Sequence, residues 1–542
     1  MRVVAFLAAL FSFIAPMAQA ASPGEEPAYS PAAFKAHVEF LADDLLEGRE
    51  IGTRGYDLAA RYVATRFDAA GLGSPAGGRY QRVPFIGARL LTTQPPKLVV
   101  GEREFVHRSD VLISASVLEA SQAVEADVVF AGYCIDKPDQ GSDDYAGLDV
   151  KGKIVVCLHG FPKGMPSEIG AHLASRKTIM LQERGAIGLL SIETFQSAKA
   201  FPWSRALEEP DRPTSAWAQA DGTAFREAPK VRVGAWMNAP AAEALFAGAP
   251  RTLADILAEA DRDGGKPKGF ALRPRVKFTR ESQLTPFDSV NVLALLPGSD
   301  PALAGEVVLL MAHLDHIGMD PNRAGDKIRN GAIDNAAGVA VLLEVARAMA
   351  ALPVKPKRPI LFAAVTGEES GLLGSQYLAR NPVIANATVV AVVNLDAPML
   401  LYDFTDVIAF GAEQSTLGPI VARATQRAGI QSSPDPMPEQ GVFTRSDHYS
   451  FVKEGVPGVF LVTGFANGGE KIFRDYFATH YHRPSDQIDL PFNWDAAVKF
   501  ARLNDLIARE IANQPARPLW YRDSLFGTTY APGAPKAARE AR

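Results

Sequence analysis

A mostly parallel, mixed central sheet flanked by helices, with a smaller α/β unit inserted into it, is the α/β fold class this sequence predicts, on three observations. Four runs in the second half are almost wholly apolar and rich in Val, Ile and Leu: VVLLMA (307–312), PILFAAV (359–365), VVAVVNL (389–395) and GVFLVT (458–463). Strands read this way when both faces are buried, as in parallel sheets. Helical stretches at 336–350, 371–379, 417–428 and 494–513 fall between or after them, where the crossovers of a parallel sheet belong. The block 124–269 has another character, because short strand-like runs such as VVFAGYCI (128–135), GKIVVCL (152–158) and AIGLLSI (186–192) alternate with helix over short distances.

Taken in order, the chain opens with Arg2, an apolar run over 3–14, and Ala18-Gln19-Ala20. This is the pattern of a cleavable secretory signal over 1–20, and the run is shorter than the roughly 20 residues a membrane span needs. The expectation is a periplasmic or secreted protein with no stable membrane insertion after cleavage. Residues 30–72 predict two helices, one with Phe34, Val38, Leu41 and Leu45 on a stripe and one with Ala59, Tyr62, Val63 and Phe67, separated by the turn GREIGTRG (48–55). This segment belongs to an N-terminal part of the main domain, 21–115. The insert is expected over 116–275, and its acidic loop 139–152 lacks EF-hand spacing and reads as a solvated turn. Cys134 and Cys157 are the two cysteines. An exported location permits a disulfide between them, and small buried hydrophobes are the alternative. The main domain resumes over 276–515, and 516–542, rich in Pro, Ala and charge, predicts a surface-hugging or frayed tail.

Composition bounds the function. At 542 residues the chain is long enough for two to four units of about 150 residues. A hydrophobic content of 47% with 22% charged residues is that of a globular enzyme. The net charge of -5, with no basic stripe interleaved with aromatics, excludes nucleic acid as a partner.

The chemistry gathers on His313, Asp334, Glu369, Asp396 and His482, each at the end of an apolar strand or the start of a helix, in MAHLDHIG, NGAIDNAAG, TGEESGLLGS, VVNLDAP and THYHRPSD. Singly, each has a structural reading: a strand-end histidine, a helix-capping aspartate, first-turn acids at a helix dipole. Together they supply a dinuclear inventory: one bridging carboxylate, two further ligands per metal and a non-ligand base. Nitrogen and oxygen donors without thiolates suit zinc. In such sheets ligands bind beyond the carboxyl ends of strands, where His313 and Asp396 stand. Asp315 and Asp486 are the carboxylates expected to orient the rings of His313 and His482.

These stretches, AHLDH, GAIDNAAG, GEESGLLGS, NLD and YHRPSD, resemble the co-catalytic zinc metallopeptidases that include bacterial leucyl aminopeptidase, the glutamate carboxypeptidases and the inactive transferrin receptor. The likeness extends to the lead LADDLLEGR and AARYVATRF, while VVFAGYCI and DDYAGLDVKGKIVV resemble the protease-associated domain that many members carry as an insert. The resemblance implies a zinc-dependent exopeptidase fold and two Zn2+ ions, one bound by His313 and Asp396, the other by Glu369 and His482, with Asp334 bridging. It implies Glu368 as general base, Asp315 as orienting residue and a cis peptide between Asp334 and Asn335. Arg445, Ser446, Asp447 and His448 match a segment near the substrate and are expected as pocket wall. The family's oxyanion-stabilising tyrosine has no counterpart at Phe443, leaving Tyr449 as a substitute. The function implied is a secreted aminopeptidase acting on peptides. The alternatives are a carboxypeptidase or single-zinc glutaminyl cyclase of the same fold, and a binding protein with a relict site.

Overall fold

The computed structural model describes residues 28–209 and 212–539; the expected secretory signal lies outside them. The four apolar runs form adjacent parallel strands in the order Ile360–Val365, Glu306–His313, Thr388–Asn394, Gly458–Thr463. Their side chains alternate between two buried faces. Val308, Leu310 and Ala312 pack with the helices Pro31–Leu41, Arg54–Ala69, Gly338–Ala351 and Trp494–Asn513, while Val307, Leu309 and Met311 meet Leu378 and Phe451 on the other face. Antiparallel strands close both sides, Asp406–Phe410 beyond Gly458–Thr463 and the second half of Phe270–Leu296 beyond Ile360–Val365. The sheet is thus mixed and mostly parallel. The strand carrying His313 lies inside it, and all four parallel strands point their carboxyl ends at the same edge.

The inserted unit has its own core, from Leu98 to Phe278, around the parallel strands Ser121–Phe130, Ile154–Leu158, Gly188–Ile192 and Val233–Met237. Ser121–Phe130 pairs with the first half of Phe270–Leu296, so one 27-residue strand runs from the insert's sheet into the main one. Lys97–Val100, Arg103–Val106 and Val111–Ile113, placed by sequence with the N-terminal part, pair with strands of the insert's sheet. They are short and half-exposed, and their apolar pattern does not distinguish one sheet from the other. Cys134 and Cys157 form a disulfide across this unit, with Cα atoms 5.5 Å apart.

The tail is more tightly held than expected. Trp520 and Phe526 are buried against Phe443 and Tyr449, a helix forms over Leu525–Tyr530, and the Trp520 indole donates to the Gly455 carbonyl at 2.7 Å. Aromatic anchors among the prolines and alanines account for the difference. Among the described residues, no helix is long and apolar enough to cross a membrane.

Candidate active site

At the carboxyl edge of the sheet the five expected ligands converge. The His313 imidazole donates from Nδ1 to the main-chain carbonyl of Asp315 at 3.1 Å, which turns its Nε2 toward Asp396 Oδ1 at 3.1 Å and Asp334 Oδ1 at 3.2 Å. His482 Nε2 lies 3.4 Å from Asp334 Oδ2 and 3.3 Å from Glu369 Oε2. The two oxygens of Asp334 are thereby divided between two clusters, each with one ring nitrogen and one further carboxylate.

The loop bearing Asp334 is held from several sides. Gly331 takes a left-handed φ of 60°, where a Cβ would meet the Asp334 carbonyl at 2.1 Å. The Asp334–Asn335 peptide is cis. Asn335 then acts as a clasp: its Nδ2 donates to the carbonyls of Leu395 at 3.0 Å and His313 at 3.3 Å, and its Oδ1 accepts from the amides of Gly338 and Ala397 at 3.1 and 3.0 Å. One side chain thus ties together the segments that carry His313, Asp334 and Asp396. Buried Arg49, from the N-terminal turn, donates to the carbonyls of Leu314, Asn330 and Gly331 and fixes the same loops from beneath.

Two expected orienting contacts differ. The Asp315 carboxylate accepts from the amides of Glu368 and Glu369 at 3.2 and 3.3 Å, so it aims the acidic pair, and only its main-chain carbonyl meets His313. Asp486 accepts from the amides of Ile333 and Asp334 at 2.9 and 3.1 Å and from the Tyr476 hydroxyl at 2.9 Å, so it supports Asp334 rather than the His482 ring. The acid nearest His482 Nδ1 is Glu209 of the insert, with Oε1 at 3.7 Å. It is remote in sequence from every motif and carried no signal there.

Ser446 donates to Asp396 Oδ2 and accepts from Asn394 Nδ2 at 2.5 Å, and Arg445 and Ser446 line the pocket beside the site. Asp447 and His448 lie inside the protein instead of on the wall, fully buried. Burial pushes the Asp447 carboxyl up to about 7, with His313 opposing. Tyr449 does not reach the site, since its hydroxyl is engaged by His172 and Ser175 of the insert at 2.8 and 2.9 Å. Tyr481 does line the pocket with Asp334 and Glu368, its hydroxyl accepting from Arg445 at 2.9 Å. Its place directly before His482 was the signal available in the sequence.

The electrostatics call for a cation. Against the cost of burial, Asp396 and Glu368 hold the His313 imidazole well above its usual range, and Glu369 with Asp334 raises His482 to about 9. Burial pushes Glu368 well above the carboxylate range, which His313 opposes and Asp396 and Glu369 reinforce. Glu369, despite burial, is lowered to about 2, first by His482. His316, a residue the motif reading did not single out, brings Nδ1 to 2.7 Å from Glu369 Oε1, yet both its ring nitrogens and that oxygen are buried without a hydrogen bond. Carboxylates packed together out of water, with buried donor atoms left over, are what a divalent metal satisfies, and a set of nitrogen and oxygen donors without thiolate is one zinc accepts. The residues present therefore fit a zinc centre.

Comparison with known proteins agrees with the motifs. Residues 291–507 match the model of peptidase family M28. Two curated relatives described as probable zinc metalloproteases, from Pyrenophora teres f. teres (strain 0-1) and Pyrenophora tritici-repentis (strain Pt-1C-BFP), are 40% and 39% identical over 124 residues. That stretch is 22% of this chain in each case, and 25% and 27% of the relatives, so the chain spans about a quarter of their length. A solved structure, an aminopeptidase from Aneurinibacillus sp. strain AM-1, aligns over 90% of this chain and 95% of its own with a TM-score of 0.52 and 18% identity, a likeness of fold.

Proposed function

From the peptidase family M28 domain that residues 291–507 form, we propose that this protein is an exported zinc aminopeptidase that removes N-terminal residues from peptides. The observation that carries this reading is the division of the Asp334 oxygens between a His313–Asp396 pair and a His482–Glu369 pair, with Glu368 beside them at the edge of an open pocket. Asp334 would bridge two ions, His313 and Asp396 holding one and Glu369 and His482 the other. Zinc bound there supplies Lewis acidity, which polarises the scissile carbonyl and acidifies the attacking water.

The chain's own residues do the rest. Glu368 takes the proton of the attacking water and hands it to the leaving amine. Tyr481, steadied by Arg445, offers a hydroxyl where negative charge develops on the carbonyl oxygen. The Asp315 carboxylate holds the amides of Glu368 and Glu369 and so keeps base and ligand in their separate places.

The pocket supports a choice of substrate. Its walls include Ile408, Phe410, Phe460, Val462, Phe465 and Phe473, while Asp334, Glu368 and Asp396 stand at its edge. An apolar side chain fills such a pocket, and a free ammonium group fits the acidic edge. The insert is read as a protease-associated domain, and its residues Glu209 and Arg212 line a second pocket beside Glu369, while the leader over 1–20 supports a periplasmic or secreted location. The test uses a leucine-first peptide, free and N-acetylated, with the zinc content measured on the same sample. Acetylation should abolish release of the first residue. Equal turnover of both forms excludes an aminopeptidase, and release from the C-terminus establishes the carboxypeptidase alternative.

A further inference from the structure

A second pocket reaches the same site from the Glu369 side, and its character is the opposite of the apolar one. It runs from Glu369 and Ser370 into the insert, and its wall carries Arg89, Arg108, Arg212 and Arg226. Two of these guanidiniums are aimed by carbonyl oxygens. Arg212 donates to the Glu369 carbonyl at 3.1 Å, and Arg108 donates to the carbonyls of Leu207 and Glu209 at 2.8 and 3.1 Å. A carbonyl orients a guanidinium without cancelling its charge. Glu50, itself raised by burial, is an acid on which both Arg212 and Arg89 act. Glu209, also in the lining, is shared among His482, Arg205 and Arg212. Among the described residues no carboxylate pairs with Arg226, whose guanidinium is lowered by burial and whose own charge bears on Arg280. The pocket therefore presents oriented positive charge with guanidinium N–H donors to spare.

We propose that this pocket is the leaving-group subsite and binds a carboxylate, that of the peptide's own C-terminus, so that the enzyme is adapted to dipeptides and other very short peptides. The inference rests on the aminopeptidase reading. Because Arg212 is fastened to the main chain of Glu369, its charge lies immediately past the second ligand cluster. An extended residue spans about 3.3–3.6 Å, so the carboxylate of a dipeptide ends one residue beyond the scissile bond, at the mouth of this pocket. Guanidinium groups pair with carboxylates through two parallel hydrogen bonds, which fixes the leaving residue in position as well as in charge. The apolar pocket and the cationic pocket, on either side of the ligands, match a substrate with an apolar first residue and an anionic end.

The experiment compares kcat/KM of the purified holoenzyme on leucyl-leucine, leucyl-leucinamide, leucyl-glutamyl amide, leucyl-glutaminyl amide and leucine p-nitroanilide. The free dipeptide should exceed its amide by at least ~10-fold, the size of one charge-assisted contact, chiefly through KM. Arg226→Ala should collapse that acid-to-amide ratio, a measure independent of the fraction of folded enzyme, and Arg226→Lys should restore part of it. Raising ionic strength should also shrink the ratio. Equal rates on acid and amide, unmoved by Arg226→Ala, overturn the proposal while the aminopeptidase reading stands on the anilide. Discrimination confined to the glutamyl over the glutaminyl amide overturns the C-terminal source in favour of an acidic side chain. No release of leucine from any of the five sinks the aminopeptidase reading and this inference with it.

Discussion

Glu368 and Glu369 are adjacent in the chain and opposite in electrostatics. Burial and neighbouring acids push Glu368 well above the carboxylate range, whereas His482 draws Glu369 down to about 2. The pair lies in the turn that precedes the helix Leu373–Arg380, where one side chain faces the pocket while the other faces His482 and His316. A group that must pick up a proton and a group that must stay ionised in contact with metal have these two environments. Glu368→Gln keeps the shape but cannot accept a proton, and activity should fall by at least ~100-fold with the zinc content unchanged. Glu369→Ala should lose metal together with activity. Zinc per chain measured beside turnover separates the two, and a fully active Glu368→Gln enzyme removes the mechanism.

At the scale of elements, the geometry depends on how three chain segments are clasped rather than on any strand by itself. Asn335 spans His313, Leu395, Ala397 and Gly338, and a Cβ on Gly338 would fall 2.0 Å from Asn335 Oδ1, so the clasp leaves no room at its base. Asn335→Ala strands several buried backbone groups, each costing about 1–3 kcal/mol, and frees the Asp334 loop from the Asp396 segment. The expected result is zinc affinity lowered by at least ~10-fold with the secondary structure retained; unchanged affinity in a competition titration against a chelator refutes the clasp. The strands themselves were legible in the sequence, because a run such as Val307–Ala312 is buried on both faces and its apolar pattern is unbroken. So were the ligands, which sit where those runs end. Contacts made across the fold were not legible. Asp315 lies two residues from His313, yet its carboxylate serves amides fifty residues away, and Asp486, close to His482 in sequence, serves Ile333 and Asp334. Sequence proximity suggests a partner for a side chain without fixing the direction in which it points. The same limit hid Glu209, which reaches His482 from the insert, and Tyr481, overlooked for Phe443 and Tyr449 although it adjoins a ligand.

For the molecule as a whole, two apolar cores are joined by one strand, Phe270–Leu296, which pairs with Ser121–Phe130 at its start and with Ile360–Val365 at its end. The main domain carries the expected zinc ligands at the edge of its sheet, and the insert holds the disulfide Cys134–Cys157, 23 residues apart in sequence, in a cluster with Val129, Val155 and Leu181. Each is a separate handle on one core. A ligand present at about 1,000 times its dissociation constant stabilises the unit that binds it by roughly 4 kcal/mol, and closing a loop of this length contributes about 3 kcal/mol. For units of this size either amount corresponds to a shift of roughly 6–16 °C. Calorimetry of the intact protein should therefore show two transitions, one lowered by a chelator and the other by a reductant. The alternative is that the shared strand, with Tyr80–Leu90 paired along it from Ser282 to Val292, couples the cores into one cooperative unit. Chelator and reductant would then move a single transition by similar amounts. Two separable shifts mean that the insert folds on its own core and lends Glu209 and its arginines to a centre whose metal it does not bind.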